Sequence, residues 1–166
     1  MSWCNRALAL SGVEMSYGRY FEELEPGKCF RHWPGRTLTE FDDTLFSLMS
    51  MNQHPLHIDE HYAAGTQHGR RLVAGPLVIS LVIGISQADI GGRALETLDY
   101  SHVRHLGPVF HGDTIYAEST VVLKEELPNE RGLVVVSTRG LNQREEAILT
   151  LERKIVVPKR PAGESL

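Results

Sequence analysis

The residues best suited to chemistry lie in one short stretch, residues 50–59, where histidine, asparagine and aspartate occur close together. This stretch contains His54 and His57, and His61 follows four residues after His57. A neutral imidazole can take or give a proton near pH 7, and it can also bind zinc or iron. Three interpretations are therefore open: a general acid or base at His57, a metal centre, or histidines that only belong to a loop and a helix start.

The spacing of these histidines argues against a metal centre. Pro55 prevents His54 and His57 from lying one turn apart inside a regular helix. His57 and His61 share a helix face only if a helix begins before Asp59. No cysteine lies nearby in the sequence. We therefore expect no metal and favour acid–base chemistry over ligation.

The most apolar stretch of the chain, residues 75–90, follows this site and carries a single charge near its end. Pro76 suits the first turn of a helix, and Gly91 and Gly92 can end one. We predict a helix over residues 76–90, about 22 Å long, which is short for a membrane span of about 20 residues. Because it is apolar on nearly every side, it needs cover on every side. A buried mixture of strand and helix is the alternative.

Strands are predicted on both sides of this helix. Turn signals bound them, because glycine, proline and asparagine recur between alternating or β-branched runs. The predicted strands are residues 28–33, 36–39, 95–106, 114–123, 133–139 and 147–157. Short turns join the last three, which predicts an antiparallel meander. The fold class is therefore α+β, a long helix wrapped by a curved antiparallel sheet, and its open edges predict a homodimer or higher homo-oligomer.

Two shorter helices are predicted before the site and after it. Thr39 is a suitable N-cap for the first, and residues 59–64 can form the second. Acidic residues follow the cap, and we interpret them as helix-start charges rather than catalysts; they are Glu40, Asp42 and Asp43. The first helix has an expected apolar face made of Phe41, Leu45, Leu48 and Met49.

Composition limits the class of protein. The chain has 166 residues, of which 42% are hydrophobic and 23% charged, and this fits one globular domain with a core. A net charge of −4 gives no basic field, so we expect no nucleic-acid partner, and we expect no membrane partner either. The two cysteines, Cys4 and Cys29, have neither metal-ligand spacing nor disulfide-rich density, which favours reduced thiols in a cytoplasm.

The chain divides into three predicted segments. Residues 1–24 lack a clear period and are expected to form an N-terminal arm, and the first ten are a weak candidate for a signal peptide. Residues 25–157 are the predicted domain. Residues 158–166, rich in proline, glycine and charge, are expected to form a flexible tail.

Three ordered motifs resemble the MaoC-like dehydratases, also called (R)-specific enoyl-CoA hydratases. Residues 52–57, Asn-Gln-His-Pro-Leu-His, followed by Asp59 and Ala63, resemble the D-x-N-P-L-H-x-D motif of that family. Residues 72–75, Leu-Val-Ala-Gly, resemble its V-H-G step into the central helix. Residues 103–114 resemble its R-F-x-x-P-V-x-x-G-D-T segment. The resemblance implies the hotdog fold, a long helix wrapped by an antiparallel sheet and usually dimeric.

The resemblance also implies a mechanism and its residues. His57 corresponds to one of two residues that activate a water for syn addition across the double bond of an acyl thioester. The other is an aspartate in the family and is Asn52 here, whose amide cannot take a proton. The backbone N–H of Gly75 corresponds to an oxyanion hole for the thioester carbonyl. The family's histidine before that glycine is Ala74 here, and its usual asparagine is His54.

Asn52 leaves three interpretations open. MaoC-like members that resemble hydratases of branched or dicarboxylic short acyl-CoAs also have an N-x-x-P-L-H form, so His57 can be the main acid and base. His54 or Asp59 can instead complete the pair. Catalysis can also be lost, leaving a protein that binds acyl thioesters.

The resulting prediction is a hydratase or dehydratase of 2-enoyl or 3-hydroxyacyl thioesters, carried by CoA or a carrier protein, without metal or redox cofactor. Arg70 and Arg71 are candidates to bind a substrate carboxylate or CoA phosphates, or they are solvated loop charges. A hotdog thioesterase is the alternative activity, although Ala74, Gly75 and Pro76 offer no carboxylate base at the helix start.

Overall fold

The computed structural model describes residues 17–163. Residues 1–16, which include Cys4 and most of the predicted N-terminal arm, lie outside the described residues. The same holds for residues 164–166 at the end of the predicted tail.

The described part of the chain contains four α-helices and six strands. The helices are α1 (Glu40–Ser50), α2 (Pro55–Ile58), α3 (Glu60–Ala64) and α4 (Gly75–Ser86). A 3₁₀ turn, Phe21–Glu23, precedes the first strand, and a π-helical turn, Gln87–Gly91, continues α4. No helix in residues 17–163 is long and apolar enough to cross a bilayer.

The strands form one antiparallel sheet. They are β1 (Cys29–Arg31), β2 (Arg36–Thr37), β3 (Glu96–His105), β4 (Thr114–Leu127), β5 (Arg131–Leu141) and β6 (Ala147–Pro158). The order across the sheet is β1-β4-β5-β6-β3, which confirms the predicted meander and places β3 at an edge. The short strand β2 pairs with the start of β4, where Arg36 lies opposite Ile115, and therefore does not return along β1.

The apolar helix α4 packs on the concave side of this sheet, as predicted. Val78 and Val82 are buried in a cluster that includes Ile115 and Leu149 from the sheet. The predicted helix is nevertheless not regular to its end, because π-helical geometry begins at Gln87. One side of α4, which carries Pro76, Ser80 and Gly84, is exposed in the single chain. The prediction that α4 is covered on every side is therefore met only in part by this chain alone.

The predicted apolar face of α1 is wrong. Phe41, Leu48 and Met49 are 71%, 69% and 77% exposed, and Leu45 is 42% exposed. The buried residues of α1 are Asp43 and Ser47, which lie one turn apart. The N-terminal cap is as predicted, since the side chain of Thr39 accepts a hydrogen bond from the Asp42 N–H. A polar face therefore orients α1, because the carboxylate of Asp43 finds hydrogen-bond donors inside the protein.

The chain joins the domain earlier than residue 25. Phe21 and Leu24 are buried in a second cluster with Phe30 and Val134, so the end of the predicted arm contributes to the core. This contribution was hard to predict, because two apolar residues in a charged segment form no periodic pattern. At the other end, the N–H of Lys159 donates to the carbonyl of Glu130 at 2.8 Å, so the start of the predicted tail is bonded to the domain.

Candidate active site

A cleft of about 200 Å³ lies at the N-terminal end of α4. Its polar lining consists of His57, Gly75 and His105. The rest of its wall is mostly apolar and comprises Leu72, Val73, Val78, Gly107, Pro108 and Val109. A small, largely apolar cleft with a few polar groups is typical of a site for a small ligand. The structure thus brings together His57 and Gly75, two of the residues that the sequence predicts for catalysis.

The helix α2 positions His57. It is a single turn in which Pro55 takes the first position, and the Nδ1 of His54 caps it by accepting a hydrogen bond from the Leu56 N–H at 3.1 Å. Proline is well suited to this position because the first N–H of a helix has no partner in the helix. The stretch predicted to be a loop is therefore a short capped helix, and Pro55 starts it rather than breaks it.

The ring of His57 has a defined orientation. Its Nδ1 lies 2.8 Å from the carbonyl oxygen of Leu72. A carbonyl can only accept, so Nδ1 carries a proton and donates this bond. In the neutral ring the lone pair is then on Nε2, which can take a proton from a water. This tautomer is the one that a general base needs.

The residues between α3 and α4 hold the cleft walls together. The N–H of Leu72 donates to the carbonyl of Leu56 at 3.2 Å, and the N–H of Val73 donates to the carbonyl of Val109 at 2.9 Å. Leu72 also forms a β-bridge with Phe110. These bonds join two parts of the cleft wall through residues 72 and 73. One part is α2, which carries His57, and the other is the segment that contains Val109.

The start of α4 is anchored by Asp43, a residue that sequence reasoning assigned only to a helix start. Its side chain is fully buried, and its Oδ1 accepts a hydrogen bond from the Ala74 N–H at 2.9 Å. Its Oδ2 lies 2.9 Å from the Nε2 of His111. A negative charge at a helix N-terminus is favourable because the helix dipole is positive there. The one sequence signal was the spacing of Asp43 and Ser47, two small polar residues one turn apart.

Gly75 is the first residue of α4, and its backbone N–H is among those that a helix leaves without a partner. Within residues 17–163 no acceptor bonds to this N–H. A Cβ at this position would lie 3.0 Å from the Nε2 of His105, so a side chain here would crowd that ring. The N–H of Gly75 therefore fits a carbonyl oxygen that enters the cleft.

The family of the chain follows from comparison with known proteins. The model of the MaoC like domain family matches residues 22–140, most of the chain. The chain belongs to the MaoC-like family. This confirms the resemblance carried by the three motifs.

Two MaoC-like relatives are named as a hydratase and a dehydratase of CoA thioesters. Mesaconyl-CoA hydratase from Cereibacter sphaeroides is 37% identical over 149 residues, which cover 89% of this chain and 43% of that protein. Beta-methylmalyl-CoA dehydratase from Chloroflexus aurantiacus is 30% identical over 154 residues, which cover 90% of this chain and 44% of that protein.

A solved structure confirms the hotdog fold. A conserved hypothetical protein from Mycobacterium tuberculosis with a double hotdog fold superposes with a TM-score of 0.79 at 25% identity. The superposition covers 90% of this chain and 47% of that one. The MaoC-like chain described here thus spans less than half the length of each of these three proteins.

The other residues that the sequence predicts for this MaoC-like site lie outside the cleft lining. Asn52 follows the left-handed C-cap of α1, and its N–H donates to the carbonyl of Ser47 at 3.0 Å. The ring centroid of His54 is 5.8 Å from that of His57. Asp59 caps α3 by accepting a hydrogen bond from the Tyr62 N–H at 2.9 Å.

The two predicted arginines are in different situations. Arg71 lies 2.6 Å from Glu60 and 2.9 Å from Glu40, and the hydrogen bond to Glu60, followed by that to Glu40, raises the pKa of Arg71. Its charge is thus already neutralised. The guanidinium of Arg70 lies over the ring of Phe110 at 3.7 Å, a cation–π contact that leaves its donors directed sideways. Of the two, only Arg70 is suited to meet a substrate anion.

Within residues 17–163, no three His, Cys, Asp or Glu side chains are grouped so as to hold a metal ion. His54, His57 and His61 therefore do not form a cluster of that kind. Instead, His54 caps α2, and the ring of His57 is oriented by its bond to the Leu72 carbonyl.

A second group of hydrogen-bonded polar side chains lies apart from the cleft. It links an aspartate, a histidine and a serine in the order of a nucleophilic triad. Asp89 Oδ2 is 2.8 Å from His32 Nδ1, and His32 Nε2 is 2.7 Å from Ser119 Oγ. Ser119 is fully buried and also lies 2.8 Å from Thr138 Oγ1. A substrate has no access to this hydroxyl, so these three hydrogen-bonded side chains form a structural link between the π-helical turn and the sheet.

Proposed function

We propose that this MaoC-like chain catalyses the addition of water to a 2-enoyl-CoA, or the reverse dehydration of a 3-hydroxyacyl-CoA. The observation that carries the proposal is the cleft where the oriented ring of His57 and the N–H of Gly75 meet. The hydro-lyase relatives named above support the same reaction class. The proposed chemistry is acid–base chemistry and uses neither a metal nor a redox cofactor.

Each of the two groups has a role in this reaction. The thioester carbonyl accepts a hydrogen bond from Gly75, at the positive end of α4, which stabilises the negative charge that develops on that oxygen. The Nε2 of His57 takes a proton from water while the water oxygen bonds to C3. The electron pair of the C2–C3 double bond then takes up one proton to form the new C2–H bond, and His57 releases the proton that it took from water. The net change is the addition of one water across the double bond.

The proposed substrate is a short acyl-CoA, branched or with a second carboxylate. The cleft volume of about 200 Å³ suits a short acyl group. The relatives named mesaconyl-CoA hydratase and beta-methylmalyl-CoA dehydratase support this class. Arg70 is the proposed partner of a carboxylate or of CoA phosphates, because no carboxylate of residues 17–163 pairs with it, whereas Arg71 is paired.

We also propose that the working unit contains two hotdog units, most simply a homodimer. Strand β3 lies at the sheet edge, and Leu98, Tyr100 and Val103 on it are exposed. An edge strand with exposed apolar side chains is a surface for pairing. The double hotdog fold of the Mycobacterium tuberculosis protein, of which this chain covers 47%, supports such pairing. Sedimentation equilibrium tests it, and a monomer at micromolar concentration would contradict it.

The proposal includes a cytoplasmic location, which the low cysteine content supports. Neither Cys4 nor Cys29 is proposed to form a disulfide bond.

The experiment that tests the proposed function follows the absorbance of an enoyl-thioester near neutral pH, with a free-thiol assay in parallel. Hydration removes the absorbance without release of thiol. Thioester hydrolysis releases thiol, and a protein that only binds acyl thioesters changes neither signal. Mesaconyl-CoA and a straight-chain 2-enoyl-CoA, each tested at equal concentration, distinguish the branched dicarboxylic class from the unbranched one.

A further inference from the structure

We propose that His105 is a second catalytic residue of this cleft and supplies the proton that C2 receives during hydration. The inference rests on the proposed function, since it concerns the same reaction. It starts from the lining of the cleft, in which His57 and His105 are the two titratable side chains.

The position of His105 follows from the end of β3. Its backbone pairs with Leu149 on β6, and the next N–H, of Leu106, donates to the carbonyl of Ile148 at 2.9 Å. These bonds hold the residue where the strand meets the N-terminus of α4. There, its Nε2 and Cε1 lie 3.0 and 3.1 Å from the place that a Cβ of Gly75 would occupy. The ring therefore lies against the backbone of Gly75, close to the N–H that is proposed to bind the thioester oxygen.

The reaction needs two proton transfers, and the other nearby groups are not suited to the second one. The Nδ1 of His57 is bonded to the Leu72 carbonyl, which leaves one ring nitrogen for the water. Asn52 carries an amide, which cannot deliver a proton to carbon. Asp43 accepts a hydrogen bond from the Ala74 N–H, its other carboxylate oxygen lies 2.9 Å from the Nε2 of His111, and neither residue lines the cleft.

Two sequence differences from the motifs concern proton carriers. The motif that residues 52–57 resemble begins with aspartate, and this chain has Asn52. The motif that residues 103–114 resemble has phenylalanine where this chain has His105. The carboxyl group of the first motif is thus absent from this chain, and an imidazole is present in the cleft. His105 can restore the number of proton carriers to two.

The proposed step balances as follows. The Nε2 of neutral His57 takes a proton from water as the water oxygen bonds to C3, and the π electron pair moves toward the thioester oxygen at Gly75. Protonated His105 then gives its proton to C2 as that electron pair forms the C2–H bond. Solvent returns a proton to His105, which is exposed, and receives the one held by His57. No further reactant is consumed.

The test is a double-mutant cycle of His105→Phe and Asn52→Asp, measured as kcat/KM for hydration of the enoyl-CoA that the wild-type protein turns over. His105→Phe alone is expected to lower kcat/KM by about 100-fold or more, the usual contribution of a general acid. In the Asn52→Asp background the same change is expected to cost less than about fivefold, because a carboxyl group then provides the second proton carrier. Circular dichroism and elution volume check that each variant folds.

The pH profile separates a catalytic role from a structural one. Neutral His57 makes activity fall as the pH decreases, and protonated His105 makes it fall as the pH increases. His105→Phe is expected to remove the alkaline limb and keep the acidic one. His102→Gln is the matched control, because His102 lies on the same strand, outside the cleft, with its ring on Glu152. It is expected to keep both limbs and wild-type kcat/KM within about twofold.

The outcomes distinguish this inference from the proposed function. A loss below about threefold in His105→Phe, an equal loss in both backgrounds, or an unchanged alkaline limb overturns the role of His105 while hydration by the wild-type protein stands. If the wild-type protein hydrates no enoyl-CoA, the proposed function fails, and the role of His105 fails with it.

Discussion

The carboxylate of Asp43, on α1, accepts a hydrogen bond at 2.9 Å from the backbone N–H of Ala74, immediately before α4 begins. The two residues are 31 positions apart. Because Ala74 precedes Gly75, this bond fixes the backbone whose N–H is proposed to bind the thioester oxygen. This anchor orients α1, and it therefore explains why the polar side of the helix is buried while its apolar side is exposed.

The first prediction concerns that anchor. Asp43→Ala leaves the N–H of Ala74 and the ring of His111 without this partner, at a cost of about 1–3 kcal/mol for the buried N–H and less for the partly buried ring. Asp43→Asn is the matched control, because its amide oxygen can still accept from Ala74. Urea unfolding at pH 7 is expected to show the larger loss of stability for Asp43→Ala, together with lower kcat/KM. Equal stability of Asp43→Ala and the wild-type protein would contradict the role of the anchor.

The sequence predicts the main elements of this fold because their signals are local and repeated. The apolar run of α4, with Pro76 at its start, and the alternating strands β4 to β6 are signals of this kind. The orientation of α1 is set by a bond between residues 43 and 74, which no local pattern contains. The same holds for the site: the motif identifies His57 and Gly75, whereas the place of His105 beside Gly75 depends on where β3 ends.

The second prediction concerns His57. Replacement by alanine removes the group proposed to take the proton of water, and turnover is expected to fall by at least about 10²- to 10⁴-fold. His61→Ala is the control, because that ring is exposed on α3 and does not line the cleft. Initial rates of loss of the enoyl absorbance measure both. Normal turnover by His57→Ala would rule out the assigned role.

The third prediction concerns Asn52. Asn52→Asp restores the carboxyl group of the motif that residues 52–57 resemble, and it is expected to be tolerated or to raise activity toward straight-chain enoyl-CoA. The physical reason is that a carboxylate can exchange a proton and an amide cannot. The ratio of kcat/KM for a straight-chain substrate and mesaconyl-CoA measures the effect. A loss of more than about tenfold for both substrates, a change in barrier of about 1.4 kcal/mol, would show that the amide itself is required.

The fourth prediction separates stability from activity at Gly75. The φ angle of Gly75 lies outside the left-handed region, so alanine fits the backbone and reduces the entropy of the unfolded chain, a gain of about 0.4–1 kcal/mol. The new methyl group would lie 3.0 Å from the Nε2 of His105 and would push that ring away. Gly75→Ala is therefore expected to unfold at the same urea concentration as the wild-type protein or a higher one, with reduced kcat/KM.

A control for this prediction is Gly84→Ala, on the exposed side of α4, where an added Cβ meets no atom within 4 Å. It is expected to be at least as stable as the wild-type protein and equally active. Full activity of Gly75→Ala would show that the close approach of His105 to α4 is irrelevant to turnover.

The last prediction concerns the pH dependence of stability at Asp89. The hydrogen bond from His32, aided by Arg19, holds the pKa of Asp89 below its usual range, against the opposing effect of burial. A lowered pKa in the folded state means that the stabilisation is complete above the unfolded pKa of about 4 and is lost as the pH falls through the folded value. Asp89→Asn is therefore expected to cost about 1.5–3 kcal/mol at pH 7 and less at pH 3 than at pH 7.

Urea unfolding at pH 7, 5 and 3 measures this difference. Asp99→Asn is the matched control, because Asp99 is exposed on β3. A surface change of this kind is expected to alter the free energy of unfolding by no more than about 0.5 kcal/mol at every pH. The difference in free energy of unfolding between the wild-type protein and Asp89→Asn could instead be constant from pH 7 to pH 3. In that case the ionised carboxylate would not be the group that stabilises the link between the π-helical turn and the sheet. The π-helical turn would then be held to His32 by a hydrogen bond that does not depend on the charge of Asp89.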